Sequence, residues 1–238
     1  MQYKITPPTH IEDTIQLPAS KSISNRALII HALAGGNIMP ENLSTCDDTA
    51  VIARAFKDNP YEIDIMAAGT AMRFMTAFLS VTEGEHVLTG TERMKQRPIK
   101  ILVDALRSLG ADIQYVGEEG FPPLRIKGKR LTGGSIEVAG NVSSQYVSAL
   151  LMIGPTLEKG LELKLLGNVI SRPYIDLTLN VMHEYGADAE WTDIDTITIR
   201  PKRYEERSYT IENDWTSASY WYAILTLLND RKSYIRFT

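Results

Sequence analysis

The 238-residue sequence has few of the side chains that cross-link small or secreted proteins, with one cysteine and four histidines. Cys46 has no second cysteine for an internal disulfide, and the histidines lie far apart, without the spacing of metal ligands. The longest apolar stretches, 27–35 and 146–155, are far shorter than the ~20 residues that span a bilayer, and residues 1–10 lack the apolar run of a signal peptide. We therefore predict a cytoplasmic protein with no disulfide, metal, cofactor or membrane contact.

The charge balance is slightly acidic, since 25 Lys and Arg residues face 29 Asp and Glu residues for a formal net charge of −4. No segment gathers the basic residues that a nucleic-acid surface needs, so we expect no nucleic-acid partner. Apolar residues make up 44% of the chain and charged residues 23%, which is the usage of an ordinary globular protein rather than of a disordered one. A chain of this length is expected to form one or two domains.

Apolar residues recur with helical spacing in seven segments and with strand spacing in the shorter segments between them. The predicted helices lie near 22–35, 47–58, 69–81, 98–109, 143–154, 173–185 and 216–228. The predicted strands lie near 13–17, 61–65, 86–89, 112–116, 124–127, 135–138, 161–165 and 196–200. This mixture predicts an α/β or α+β fold.

An internal repeat organises these elements. Arg97-Pro98 opens a predicted helix that ends at Gly110-Ala111-Asp112, and Arg172-Pro173 opens another that ends at Gly186-Ala187-Asp188. Proline at the start and glycine after the last turn are the usual signals for the two ends of a helix. Further helix openings at Ser20-Lys21-Ser22, Gly69-Thr70 and Ser143-Ser144 predict three related units within residues 16–212, forming one domain because a single unit cannot bury its apolar face alone.

Helix starts that are rich in Ser, Thr and Gly can bind anions, because their first backbone N–H groups lack partners and the helix dipole adds positive charge. Cations accompany these starts at Lys21, Arg26, Arg73, Arg97 and Arg172. If the units pack around a pseudo-threefold axis, the starts converge and predict a site for a small anionic molecule. At any single position, a simple helix cap or a solvated surface charge is the competing interpretation.

Other residues are interpreted as structural. We expect Asp47-Asp48 to supply a helix N-cap and first-turn charge, and Cys46 to be a packed or partly exposed thiol rather than a nucleophile. Gly133-Gly134 is typical of a turn rather than of a phosphate loop. The remaining candidates are expected to pack inside the protein: Met72, Met75, Met94, Met152, Met182, Trp215, Tyr220 and Trp221.

Five ordered blocks of sequence are similar to the signature blocks of the 5-enolpyruvylshikimate-3-phosphate (EPSP) synthase family. They are 17–27 (LPASKSISNRA), 68–73 (AGTAMR), 93–98 (RMKQRP), 142–145 (VSSQ) and 171–176 (SRPYID). The resemblance covers about the first half of the family's length. It implies an inside-out α/β fold of two globular halves, each made of three βαβαββ units, with the substrates in the cleft between them. It also implies transfer of the enolpyruvyl group of phosphoenolpyruvate to the 5-hydroxyl of shikimate 3-phosphate, a step of aromatic amino-acid biosynthesis.

The resemblance implies roles for individual residues. Shikimate 3-phosphate would be held by Lys21, Ser22, Arg26, Ser143, Ser144, Gln145, Ser171 and Tyr174. Phosphoenolpyruvate would be held by Lys21, Gly69, Arg97 and Gln145, and Lys21 would be the catalytic residue that touches both ligands. The sequence departs from the family pattern at Ala67, where Asn is usual, and at Phe74, where Pro is usual. One polar contact near the phosphoenolpyruvate pocket and the geometry at the start of that helix are therefore expected to differ.

The ends of the chain do not fit the three-unit scheme. The resemblance assigns the strand in residues 1–15 and the segment 213–238 to a second half that is missing, together with the family's acid–base Asp and Glu. We therefore expect the chain to bind shikimate 3-phosphate without turning it over, and the full-length form to be a monomer. Two alternatives stay open. One is a natural half-protein or binding module that needs a separate partner chain. The other is a UDP-N-acetylglucosamine enolpyruvyl transferase, whose reactive cysteine would be expected near residues 93–97.

Overall fold

A computed structural model describes residue 4 and residues 6–238 of the chain. The strands are β1 (Glu12–Ile15), β2 (Glu62–Asp64), β3 (Gly84–Thr89), β4 (Asp112–Tyr115), β5 (Leu124–Gly128), β6 (Gly134–Ala139), β7 (Leu161–Leu166), β8 (Ala189–Trp191), β9 (Thr196–Ile199) and β10 (Tyr234–Phe237). The helices are α1 (Lys21–Ala34), α2 (Asp47–Asp58), α3 (Gly69–Val81), α4 (Glu92–Lys95), α5 (Lys100–Ser108), α6 (Ser144–Ile153), α7 (Arg172–Glu184) and α8 (Trp215–Leu228). The predicted mixed α/β class is confirmed.

Two four-stranded sheets share one topology. Their strand orders are β2-β3-β5-β4 and β6-β7-β9-β8. In each sheet the first pair is parallel and the other two pairs are antiparallel. A parallel pair needs a crossover, which α3 supplies in the first sheet and α6 in the second. The repeat with a period of about 75 residues therefore corresponds to two units of βαβαββ order.

The crossover helices form the centre of the molecule. Helix α3 is buried around its whole circumference, since its residues 69–80 are all buried. Two of its hydroxyls bond within the helix, since Thr76 and Ser80 donate to the carbonyl oxygens four residues earlier at 2.7 Å. Helix α6 packs on α3, and α1 contacts both. The five methionines that were predicted to pack are all buried.

Local signals set the ends of the site helices. Ser20 caps α1 by accepting a hydrogen bond from the Ile23 N–H at 3.4 Å, and Ser143 caps α6 by accepting one from the Gln145 N–H at 3.3 Å. Gly110 and Gly186 follow the last turns of α5 and α7 with φ of 99° and 80°, a conformation that suits glycine. Gly133 and Gly134 also have positive φ at the turn that leads into β6.

Several predicted positions were wrong. Pro98 lies outside α5, which begins two residues later at Lys100, whereas Pro173 does stand in the first turn of α7. Asp47 and Asp48 belong to the first turn of α2, and its N-cap is Cys46, which makes no side-chain capping bond. The short elements α4 and β8 were not predicted, whereas β2, which is as short as β8, lies within a predicted strand.

The ends of the chain form a separate small assembly. Strand β1 pairs in parallel with β10, so the predicted lone strand has a partner, and residues 1–3 and 5 of that segment lie outside the described residues. Trp215 and Tyr220 on α8 are 62% and 71% exposed, which contradicts their expected packing. Among the described residues, the main neighbour of α8 is β10, and the two-stranded sheet that contains β10 has too little surface to cover the helix.

Two chain segments connect this assembly to the rest of the molecule: one lies between β1 and α1, and the other lies between β9 and α8. Ala19 and Asn213 form an isolated antiparallel bridge, and Glu41 and Thr210 form a parallel one. The Ser20 N–H donates to the Glu212 carbonyl at 2.8 Å, and the Asp214 N–H donates to the Pro18 carbonyl at 2.7 Å. The incoming and outgoing segments therefore run side by side. None of the helices formed by the described residues has the length and apolarity needed to cross a membrane.

Candidate functional site

The amino-terminal ends of α1, α3 and α6 meet at one cavity of about 280 Å³, called here the serine cavity. Its lining residues are Lys21, Ser22, Asn25, Arg26, Thr70, Ser143, Ser144, Gln145 and Tyr174. Because these helices begin here, their first backbone N–H groups and their dipoles face the same region. The cavity thus combines helix N-termini, hydroxyl groups and two cations, which is the chemistry of an anion site.

Arg26 is the most constrained cation of the cavity, with 3% of its surface exposed. Its Nε donates to Thr178 Oγ1 at 2.7 Å, its Nη2 to Ser148 Oγ at 2.9 Å and its Nη1 to the Ser22 carbonyl at 2.9 Å. Burial lowers the pKa of Arg26 to about 10, so the side chain stays charged at neutral pH. All these partners are neutral, and no carboxylate of the described residues forms an ion pair with it. A bound anion would supply the missing counter-charge.

Phe74 lies beneath this cation. The Arg26 guanidinium carbon stands 5.3 Å from the centre of the Phe74 ring, within the range of a cation–π contact. The residue that departs from the family's usual proline thus packs against a predicted ligand-binding side chain rather than entering the cavity.

Two lining residues were not predicted. Asn25 is fully buried, its Oδ1 accepts a hydrogen bond from Thr49 Oγ1 at 2.8 Å, and its Nδ2 has no partner among the described residues. Thr70 accepts a hydrogen bond from Gln145 Nε2 at 3.2 Å and so connects α3 to α6. The sequence held a signal for Asn25, because on a helix that begins at Lys21 it lies three residues after Ser22 and on the same face.

A second cavity, of about 440 Å³, lies beside the start of α3 and is called here the arginine cavity. It is lined by Ala67, Arg93, Met94 and Arg97. Burial and the positive charge of Arg73 lower the pKa of Arg97. Gly69 is the first residue of α3, and a β-carbon there would overlap the guanidinium groups of both Arg97 and Arg73. The glycine therefore lets these two cations approach the helix start.

Two predicted residues lie elsewhere. Ser171 is the N-cap of α7, is half-buried and does not line the serine cavity, although Tyr174 one turn later does. The guanidinium carbon of Arg172 stands 4.0 Å from the centre of the Trp191 ring, and the group donates to the Ile194 carbonyl at 3.2 Å. Arg172 thus points to the sheet side of α7 rather than joining the other cations.

Cys46 is half-buried, as predicted, and its Sγ lies 3.3 Å from Thr49 Oγ1. Burial raises the pKa of the thiol, but hydrogen bonds with Ser44 and Thr49 outweigh this effect and leave the pKa below its usual value. The bond to Thr49 links Cys46 indirectly to Asn25.

These features define a mixed α/β protein with two neighbouring cationic cavities at its helix starts. A model of the EPSP synthase family, described as 3-phosphoshikimate 1-carboxyvinyltransferase, matches residues 5–58 and 53–232. The chain therefore belongs to the EPSP synthase family.

Individual relatives of the chain carry the same family name. A 3-phosphoshikimate 1-carboxyvinyltransferase of Bacteroides fragilis is 60% identical over 227 residues, which cover 95% of this chain and 55% of the relative. One of Histophilus somni is 39% identical over 250 residues, covering 92% of this chain and 58% of the relative. The solved EPSP synthase of Acinetobacter baumannii matches the fold with a TM-score of 0.79 at 23% identity, covering 91% of this chain and 54% of that one. The chain spans about half the length of the relatives that it matches.

Proposed function

We propose that this chain forms the shikimate 3-phosphate-binding half of a 3-phosphoshikimate 1-carboxyvinyltransferase. The complete enzyme would transfer the enolpyruvyl group of phosphoenolpyruvate to the 5-hydroxyl of shikimate 3-phosphate and release phosphate. One observation carries the proposal: residues from four of the family-like blocks line the serine cavity together, around a buried Arg26 that has no carboxylate partner among the described residues.

Shikimate 3-phosphate would occupy the serine cavity. Ser143 and Ser144 stand at the start of α6, where hydroxyl and backbone N–H donors suit a phosphate. Lys21, Ser22, Arg26, Gln145 and Tyr174 would complete the site from α1, α6 and α7. Ser171 would contribute only after a local shift, because it lies outside the present lining. Charge-assisted bonds to the phosphate are each worth about 1.5–3 kcal/mol, so the phosphate would be the anchor.

Phosphoenolpyruvate would bind beside it, at Gly69, Arg97, Lys21 and Gln145. Arg97 lines the arginine cavity and can form paired hydrogen bonds with an anion, and Gly69 offers the start of α3. Lys21 would act as the catalytic residue by contacting both ligands and stabilising the charge that develops between them. Ala67 lines the arginine cavity without a polar side chain, so the contact that Asn would make is absent.

The finer architecture is part of the same proposal. We infer that α1 and α2 belong to a third unit, arranged with the other two around a pseudo-threefold axis. The mutual packing of α1, α3 and α6 supports this arrangement, as do the bridges of Ala19 and Glu41 to residues 210–213. Residues 16–212 would form one domain of the enzyme.

The flanking segments, 1–15 and 213–238, would belong to the other half of the enzyme. The pairing of β1 with β10 and the exposed apolar side chains of α8 support this division. The names of the relatives favour shikimate 3-phosphate over UDP-N-acetylglucosamine as the substrate. A separate partner chain remains the alternative source of the other half. The cytoplasmic location and the monomeric state of the complete enzyme stay predictions.

A titration followed by NMR tests the proposal. We expect shikimate 3-phosphate to shift the backbone resonances at the starts of α1, α6 and α7, and to bind much more tightly than shikimate. Equal responses to the two ligands, or shifts confined to other segments, would contradict it.

A further inference from the structure

Arg73, on α3, is a buried cation that was predicted to accompany a helix start, but none of the ligand contacts implied by the resemblance uses it. It is 5% exposed, and its Nη1 donates to the Gly69 carbonyl at 2.8 Å. Its guanidinium carbon lies 5.6 Å from the centre of the Tyr146 ring, and the Tyr146 hydroxyl donates to the Pro98 carbonyl at 2.7 Å. The buried Nε of Arg73 has no hydrogen-bond partner among the described residues. This side chain is therefore fixed in place but incompletely satisfied.

Arg73 and Arg97 both place their guanidinium groups close to Gly69 and share no acidic partner among the described residues. A β-carbon built on Gly69 would come within 2.8 Å of Arg73 Nη1 and would also overlap Arg97. Neither arginine forms an ion pair with a carboxylate among the described residues. Two like charges at an uncapped helix start repel each other, and an anion bound between them would relieve the repulsion.

We propose that Arg73 is a positioning residue of the arginine cavity: it holds the start of α3 through the Gly69 carbonyl and adds a second positive charge behind Arg97. The inference rests on the proposed function, because the anion it serves is phosphoenolpyruvate. Arg73 acts through Arg97 and Gly69 and needs no contact of its own with the ligand. Its charge would raise the affinity for an anion carrying more than one negative charge.

Variants of the 238-residue chain test this role. Phosphoenolpyruvate is titrated into the wild type, Arg73→Gln and Arg73→Lys with shikimate 3-phosphate present, and binding is followed at the backbone amides of Gly69 and Arg97. We expect Arg73→Gln to weaken binding about tenfold, because a charge-assisted interaction is lost, and Arg73→Lys to retain most of the affinity. The dependence of binding on salt should also become weaker in Arg73→Gln.

Arg107 provides a matched control. Its guanidinium also lies over a tyrosine ring, 5.0 Å from the centre of Tyr115, and donates to a backbone carbonyl, that of Ile113, away from both cavities. Because Arg107 is exposed and Arg73 is buried, Arg107→Gln should lower the midpoint of thermal unfolding less than Arg73→Gln does, and it should leave ligand affinity unchanged. If the two Gln variants have the same affinity for phosphoenolpyruvate, or if Arg73→Lys is as weak as Arg73→Gln, the inference is wrong. If the wild type itself does not bind shikimate 3-phosphate, the proposed function is rejected instead.

Discussion

At the scale of single residues, the organisation of the serine cavity depends on Arg26. Its guanidinium is held by hydroxyls of Ser148 and Thr178 from two helices other than its own. These two hydroxyls lie 2.8 Å apart, and Thr178 also donates to the Tyr174 carbonyl. The position of the charge is therefore set by a network of neutral groups, each of which has little freedom to adjust.

Replacing Thr178 with valine keeps the shape of the side chain and removes the acceptor of Arg26 Nε. We expect Thr178→Val to lower the free energy of unfolding by about 1–3 kcal/mol, because a buried charged donor loses its partner, and to weaken shikimate 3-phosphate binding. Chemical unfolding and ligand titration measure the two effects. Thr198→Val is the control, since the Thr198 hydroxyl meets only Thr192 near the sheet surface. Equal stability of the two variants would contradict the argument.

The serines at the start of α6 should determine the preference for a phosphorylated ligand. We expect the double variant Ser143→Ala, Ser144→Ala to lose most of the difference in affinity between shikimate 3-phosphate and shikimate, because the hydroxyl donors are removed. Loss of the Ser143 cap should also cost about 1 kcal/mol of stability. Asp47→Ala separates the two effects, because it removes a first-turn charge of α2 and should lower stability without changing the preference.

Much of the site was predictable at this scale because caps, charges and family-like blocks are local in the sequence. Ser22, Arg26 and Gln145 were predicted in this way. Asn25 was missed, and Arg73 was predicted only as one of the cations near the helix starts, since the environment of both depends on burial among helices that are distant in the chain. Arg172 has the same residue type as the predicted ligands, but its contact with Trp191 is set by the fold of the second sheet.

At the scale of elements, the long helices of the two repeats followed from sequence period and caps, whereas the short elements α4 and β8 did not. Strand β8 has three residues and exists because it pairs with β9, so its structure is decided by a partner rather than by its own pattern. Helix α5 begins after Pro98 because Ile99, with φ of −134° and ψ of 1°, lies outside the helical conformation and is the N-cap. Such shifts depend on tertiary contacts such as the Ile99 N–H bond to the Gly120 carbonyl.

The turn between α8 and β10 contains a bond that should depend on pH. The Nδ1 of His10 lies 2.7 Å from Asp230 Oδ2, and hydrogen bonds with His10, Ser233 and Lys232 lower the pKa of Asp230 from 3.8 to about 2. Because the folded-state pKa is depressed, the stabilisation is complete above about pH 4 and is lost as the pH falls towards 2.

We therefore expect Asp230→Asn to be less stable than the wild type at pH 5 and equally stable near pH 2. Amide hydrogen exchange in β1 and β10 measures the difference, because this bond ties the segment before β1 to the turn before β10. A difference between the two proteins that stays constant from pH 5 to pH 2 would show that the carboxylate is not responsible.

At the scale of the whole molecule, the two cavities contain cations, hydroxyls and amides but no Asp or Glu among the described residues that line them. General acid–base catalysis needs a proton donor or acceptor within hydrogen-bond reach of the reacting atoms. We expect the 238-residue chain to release no phosphate from shikimate 3-phosphate and phosphoenolpyruvate in a phosphate-release assay. Robust turnover by the pure chain would contradict this. Activity restored by adding the remainder of a family enzyme would support the proposed function.

The exposed side of α8 should make the chain associate with itself. Tyr220 and Leu227 are 71% and 85% exposed on one helix, which is unusual for a stable surface. We expect sedimentation velocity to show association that grows with concentration and that decreases in Tyr220→Glu, Leu227→Glu. Ile194→Glu is the control, because Ile194 is 78% exposed as a single apolar residue on another surface. A chain that is monomeric at every concentration would refute the expectation.

The paired connections at residues 18–20 and 212–214 have a mechanical consequence. Two segments joined by hydrogen bonds form a short ribbon, so they move together rather than independently. A cavity of about 380 Å³ lies beside this ribbon and is lined by residues that include Lys21, Tyr174 and Trp215. Because Lys21 and Trp215 both line this cavity, any displacement of the assembly of β1, α8 and β10 about the ribbon would change its size. The same ribbon that attaches the assembly therefore also couples its position to the start of α1.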